Sequence, residues 1–396
     1  MRIAYTPQQE ELRAELRDYF ARLMTPERRE ALAAPTGEYG EGDVYREVIA
    51  EMGRDGWLAL CWPKEYGGRG GSVMDQLIFT DEAAMATAPV PFLTINTVAP
   101  TIMHYGTEEQ KEFFLPKIAA GELHFSIGYS EPGAGTDLAS LRTAAMRDGD
   151  EWTINGQKMW TSLISYADYV WLAARTDPNA EKHSGISMFI VPTAAEGFSS
   201  TPVHTMAGPD TSATYYQDVR VKHTDMVGPE NGGWGLIVNQ LNFERVALSG
   251  AGHLVMALQY TVEWARNTKN ASGIRVIDSE WVQLNLARVH AKIEYLKLLN
   301  YEIAARVDAG NSAPRPWDAS ACKVYGSELA TEAYRLLMEV LGPQAHLCQD
   351  SAGVQLSGVL ERLHRASLIM TFGGGTNEVQ RDIIAMFALK LPPAAR

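Results

Sequence analysis

The apolar pattern of this chain predicts an α+β protein in three parts: a helical amino-terminal block, a small central β-domain and a carboxy-terminal helical bundle. Three observations predict it. From Thr6 to about Gly121 apolar residues recur at helical spacing; around His124 the period switches to short β-branched and aromatic runs; beyond Gly233 the helical period returns almost to the end. The switches divide the chain into 1–122, 123–230 and 231–396, with no internal repeat and no low-complexity linker.

In the first part, Thr6-Pro7 places a cap before a proline at the first helical position, and Leu12, Leu16, Tyr19, Phe20 and Leu23 follow. Val44 to Met52, Met74 to Ala86 and Glu108 to Ala119 read as further helices, punctuated by glycines and prolines. The second part holds strands at Trp152–Ile154, Tyr169–Leu172, Ile186–Val191 and Tyr215–Val221. The third holds helices at Trp234–Asn267, Asp278–Asp308, Ala319–Leu341 and Leu356–Met370, and a short last one from Thr376 to Leu389.

The 396 residues carry 35 Lys plus Arg against 48 Asp plus Glu, a net charge of −13, which argues against a nucleic-acid scaffold or a polybasic membrane binder. The 3 cysteines form neither a CxxC nor a Cys/His ligand spacing, so no disulfide framework or metal site is expected. The first eighteen residues hold Pro7 and four acids instead of a basic stretch followed by an apolar one, and no run of about eighteen apolar residues follows, so a soluble, cytoplasmic chain is expected. Phosphate-loop, GxSxG and HExxH motifs are absent, and Gly250-Ala251-Gly252 falls inside the helix read from Trp234 to Asn267.

Four segments carry chemistry. Tyr129-Ser130-Glu131-Pro132-Gly133-Ala134-Gly135-Thr136-Asp137 ends a strand; its glycines free the backbone to approach a ligand, and its hydroxyls suit heteroatoms or phosphate. Asn155-Gly156-Gln157-Lys158-Met159-Trp160-Thr161-Ser162 reads as a hairpin turn leading into a strand that ends in an indole and two hydroxyls. That combination suits stacking on an isoalloxazine, the plainer alternative being that Trp160 fills the core. On the first bundle helix, Glu244 lies in the apolar stripe of Ile237, Leu241, Leu248, Ala251, Val255 and Leu258. Desolvation there raises a carboxyl towards the range of a general base, unless it is simply ion-paired, for instance with Arg245. Finally, Phe372-Gly373-Gly374-Gly375-Thr376-Asn377-Glu378 sets three glycines between two helices, with Thr376 as the next cap, where a turn alone needs one glycine.

In this order and spacing, SEPGAGTD, NGQKMWTS, LNFERVALSG and FGGGTNEVQR resemble the acyl-CoA dehydrogenase family over essentially the whole chain. The resemblance implies a helical domain, a central β-domain of barrel or sandwich type and a four-helix bundle, with FAD between them. It also implies that an acyl-CoA thioester loses an α-proton and a β-hydride to give the trans-2-enoyl-CoA. By it, Tyr129 and Ser130 contact the flavin, Thr136 the phosphate region, Trp160 and Ser162 the isoalloxazine, and Thr376 and Glu378 the cofactor as well. Most of the family carry the base where this chain has Gly374; a minority place it before an arginine on the first bundle helix, which Glu244-Arg245 matches. Glu244 is then the base and Arg245 its orienting neighbour, while the Gly374 N–H can bind the thioester oxygen.

Two departures from the family pattern stand out. The arginine that reaches a neighbouring subunit's FAD pyrophosphate is replaced by Thr268, and the segment that is usually Gln-x-x-Gly-Gly-x-Gly is Val340-Leu341-Gly342-Pro343-Gln344-Ala345. The wording is most similar to the base-carrying subunit of actinobacterial α2β2 steroid side-chain dehydrogenases. That resemblance implies a second acyl-CoA dehydrogenase-like subunit as partner, a steroid side-chain CoA ester as substrate and an electron-transfer flavoprotein as acceptor. A branched or long-chain fatty acyl-CoA is the alternative substrate; a flavin monooxygenase or a non-catalytic partner subunit on the same fold are the alternative functions.

Overall fold

The amino-terminal helices are α1 (Pro7–Leu23), α2 (Pro26–Leu32), α3 (Val44–Arg54), α4 (Val73–Met85), α5 (Ala99–Tyr105) and α6 (Glu108–Ala119). The computed structural model describes residues 4–33, 43–208, 211–247, 249–310 and 315–393, and for 242–247 the backbone alone. Sequence explains where the helices start. Thr6, Ser72 and Thr107 each cap with a hydroxyl that accepts the third backbone N–H, while the Gln9, Asp75 and Gln110 side chains reach back to the cap. The face of α1 buried by this entry, Leu16, Tyr19, Phe20 and Leu23, packs with Ile78 and Phe79 of α4 in the first core.

The strands are β1 (Phe125–Gly128), β2 (Ala144–Asp148), β3 (Glu151–Lys158), β4 (Tyr169–Arg175), β5 (Ile186–Pro192), β6 (Phe198–Val203), β7 (Thr211–Lys222) and β8 (Met226–Val227). They form one eight-stranded mixed sheet in the order β6-β7-β3-β2-β4-β5-β8, with β1 parallel to β4. The expected hairpin turn at Asn155-Gly156 is not there. Both residues lie inside β3, where pairing with β7 shifts register between Ile154 and Gly156, a bulge rather than a turn. The turn joining β2 to β3 is at Gly149, whose φ is +63°.

The bundle comprises α7 (Gly233–Ala247), α8 (Gly252–Asn267), α9 (Glu280–Asp308), α10 (Pro316–Leu341) and α11 (Val359–Ser367), followed by α12 (Asn377–Ile383) and a wide turn to Ala388. The single helix expected from Trp234 to Asn267 is two helices, and Gly250-Ala251-Gly252 is at the break rather than within a helix. The cause is tertiary: Asp81 of α4 accepts the Ala251 and Gly252 N–H groups, both at 2.9 Å, and so caps α8 from outside. Ala251 before α8 and Leu254 and Ala257 within it belong to the bundle core, whereas Leu236 and Ile237 of α7 pack with the amino-terminal helices and β5. Helix α7 therefore lies where the three parts meet. Among the described residues no helix is long and apolar enough to cross a membrane.

Candidate active site

The loop after β1 and the segment after β3 are stitched into one ledge. Met159 N–H donates to the Ser130 carbonyl at 2.8 Å; Lys158 Nζ donates to the Tyr129 carbonyl at 3.0 Å and pairs with Glu131 Oε1 at 2.8 Å. Lys158 is 0% exposed, and its burial pulls the ammonium pKa down to about 8 against the opposing pull of Glu131. Against its own desolvation, the Glu131 carboxyl stays below its usual range through the Lys158 charge and the Thr143 and Arg142 N–H groups, each at 2.8 Å. The clamp holds Ser130 and Trp160 in one place.

Trp160 stands out on this ledge. Its φ is +64°, a region that bulky residues avoid, and its indole is 55% exposed, so it does not fill the core. The conformation is imposed from both sides, by the Met159–Ser130 bond and by Thr161 N–H donating to the Ser212 carbonyl of β7 at 2.8 Å. Ser162 is anchored through its carbonyl, which accepts from Ser126 Oγ at 2.7 Å, and its hydroxyl lies 3.3 Å from that of Thr211. In the loop after β1, Gly133 and Gly135 have no positive φ, and a Cβ on either meets nothing within 4 Å. Neither packing nor a positive φ demands glycine there, and the space beside both is open; Thr136 beside them is exposed.

Tyr129 ties the ledge to α7. Trp171 Nε1 donates to the Tyr129 hydroxyl at 3.2 Å, and that hydroxyl donates to Gln240 Oε1 at 2.5 Å. An indole only donates, so the direction of the chain is set. Gln240 lies four residues, one helical turn, before Glu244. Glu244 and Arg245 lie in the last turns of α7; their side chains are outside the described residues.

The glycine loop is held by α10. Lys323, 1% exposed, donates from Nζ to the Gly375 carbonyl and to Asn377 Oδ1, both at 2.8 Å. Gly374 and Gly375 have φ of +67° and +91°, so conformation accounts for two of the three glycines. Thr376 caps α12, its hydroxyl accepting from Val379 N–H at 3.2 Å, and Glu378 is exposed beside it. Helix α10 packs against both α7, which carries Glu244, and α12, which follows the glycine loop.

Family models match all three parts: acyl-CoA dehydrogenase N-terminal domain over residues 6–122, middle domain over 126–219 and C-terminal domain over 231–389. The chain belongs to the acyl-CoA dehydrogenase family. It is 72% identical over 400 residues to acyl-CoA dehydrogenase FadE26 of Mycobacterium tuberculosis, covering 100% of both chains. Among solved structures it resembles a chain of the ChsE4-ChsE5 complex from M. tuberculosis, with a TM-score of 0.92, 71% identity and 100% coverage of both. It also resembles a chain of the Tcur3481-Tcur3483 steroid ACAD, with a TM-score of 0.93, 46% identity and 100% coverage of both. This acyl-CoA dehydrogenase thus has two of its motifs on the ledge and another in the glycine loop, and their supports, Lys158, Gln240 and Lys323, are residues that sequence reasoning did not single out. Lys158 lay inside a motif already quoted, but only burial distinguishes it from a surface lysine.

Proposed function

We propose that this acyl-CoA dehydrogenase uses FAD to form the trans-2-enoyl-CoA from a steroid side-chain CoA ester, with Glu244 as the base, within an α2β2 assembly. The observation that carries the flavin reading is Trp160: an exposed aromatic residue held at φ +64° two residues before Ser162, on the same ledge as a loop whose glycines neither packing nor a positive φ requires. Trp160, Ser162, Ser130 and Tyr129 are the residues for the ring system, Thr136 for the phosphates, and Thr376 and Glu378 for further contacts. When bound, FAD supplies the acceptor for the β-hydride. The chain's own part is proton transfer and charge stabilisation. The Glu244 carboxylate takes the α-proton, Arg245 orients it, and the Gly374 N–H donates to the thioester oxygen as negative charge develops there.

The partner reading is supported by the loop around Thr268. Val276 N–H donates to the Thr268 carbonyl at 2.9 Å, Asn270 closes the turn through Ile274, Ser272 and Gly273, and Arg275 is held at 2.8 Å by both oxygens of Asp278. A loop folded on itself in this way suits a chain that does not clamp a neighbour's pyrophosphate. The steroid reading is supported by the likeness to the Tcur3481-Tcur3483 steroid ACAD.

Turnover of cholan-24-oyl-CoA and palmitoyl-CoA by the co-expressed complex, with a ferrocenium acceptor, tests the reading. Glu244→Gln is expected to lower kcat by about 10²–10⁴ with flavin retained. Wild-type turnover by that variant removes the base assignment, and a preference for palmitoyl-CoA removes the steroid one.

A further inference from the structure

The break between α7 and α8 begins one turn beyond the Glu244 position, and three other helices grip it. From α4, Asp81 Oδ1 accepts both Ala251 N–H and Gly252 N–H at 2.9 Å. Gly252 is pressed so closely on α4 that a Cβ there lies 2.4 Å from the Asp81 carbonyl oxygen and 2.7 Å from Ala84 Cβ. From α9, Asn300, 2% exposed, donates from Nδ2 to the Ser249 carbonyl at 3.0 Å. From α10, the Cys322 thiol donates to Asn300 Oδ1 at 2.9 Å, which fixes the amide's orientation, and Gly326 makes room for Ser249.

No proline causes this break, and apolar periodicity continues through it. It is held by a partly buried carboxylate and a buried amide, groups that are costly to desolvate unless their partners are in place. We infer that Asp81 and Asn300 are positioning residues for the reaction: by gripping the α7–α8 break they set where the last turn of α7, and with it Glu244, comes to rest. The inference rests on Glu244 being the α-proton base. Proton abstraction is sensitive to such placement, since a shift of about 1 Å costs about 10²-fold in rate.

The test uses the flavin-loaded complex and the faster of cholan-24-oyl-CoA and palmitoyl-CoA, each unlabelled and dideuterated at the α-carbon. Asp81→Ala is expected to lower kcat about 10–100-fold and to enlarge the α-deuterium isotope effect, with KM and flavin content within about twofold of wild type. Asp81→Asn, which keeps an acceptor oxygen, recovers most of the rate, and Asn300→Leu reproduces the alanine signature from the other side of the break. A role in stability alone lowers the melting temperature while kcat per flavin and the isotope effect stay at wild-type values, and that result overturns the inference. Should Asp81→Ala not fold, Asp81→Asn and Asn300→Leu decide by the same readouts. Glu244→Gln in parallel separates the two failures: full turnover there removes the base itself, whereas lost turnover with unaltered isotope effects in the clamp variants removes only the positioning role.

Discussion

Trp160 shows how one residue can be positioned against its own backbone preference. A left-handed φ costs a non-glycine residue about 1–2 kcal/mol, which the covered part of a residue 55% exposed offsets at about 25 cal/mol per Å². Trp160→Gly, which removes the strain and the partial burial together, is therefore expected to leave the stability of the flavin-free complex within about 1 kcal/mol of wild type, read by thermal denaturation. The same variant is expected to release flavin at least about tenfold more readily, through loss of a stacked aromatic contact. Unchanged flavin retention would remove Trp160 from the cofactor site. The residue types around it, an indole followed by two hydroxyls, were legible in the chain. Its exposure was not, because the backbone angle depends on bonds from Met159 and Thr161 to Ser130 and Ser212, which are distant in sequence.

Among the elements, the junction of the β1 loop with β3 holds a buried ion pair. Removing one partner of such a pair leaves the other charge without compensation, so Lys158→Met is expected to destabilise the fold by about 3–5 kcal/mol, with Glu131→Gln in the same chain, which removes the charge and keeps an acceptor for the Arg142 and Thr143 N–H groups, restoring part of it. Thermal melts of wild type, Lys158→Met and the double variant measure this; equal melts for the two variants would show that packing, not charge, makes the junction. The long helices could be read from apolar period, since each buries one face, and β4 and β5 from short unbroken apolar runs, since both of their faces are buried. Two local features could not. The β3 bulge at Gly156 resembles a hairpin turn because Asn-Gly is the commonest such turn, yet β7 pairs through it. The α7–α8 break is invisible because the stripe from Ile237 to Leu258 continues across it, and Asp81, far away in sequence, makes it.

For the whole molecule, the self-closed loop at Thr268 leads to an expectation about assembly. Expressed alone, the chain is expected to hold well under one flavin per subunit; co-expressed with an acyl-CoA dehydrogenase-like partner, about one per two subunits, measured by flavin absorbance against protein. A full flavin complement in the solo protein would overturn the heteromeric reading. The three-part order, the four motifs and the family were determined by sequence alone, because periodicity and local composition need no knowledge of neighbours. The −13 charge likewise argued against a nucleic-acid scaffold without a structure. Only the tertiary structure decided which residues support the site. Burial made Lys158 and Lys323 clamps instead of surface charges, the Trp171–Tyr129–Gln240 chain joined the ledge to α7, and Asp81 divided what the sequence presents as one helix. These are contacts between distant segments, and whether a polar group lies on the surface or is enclosed and partnered is settled by the packing around it.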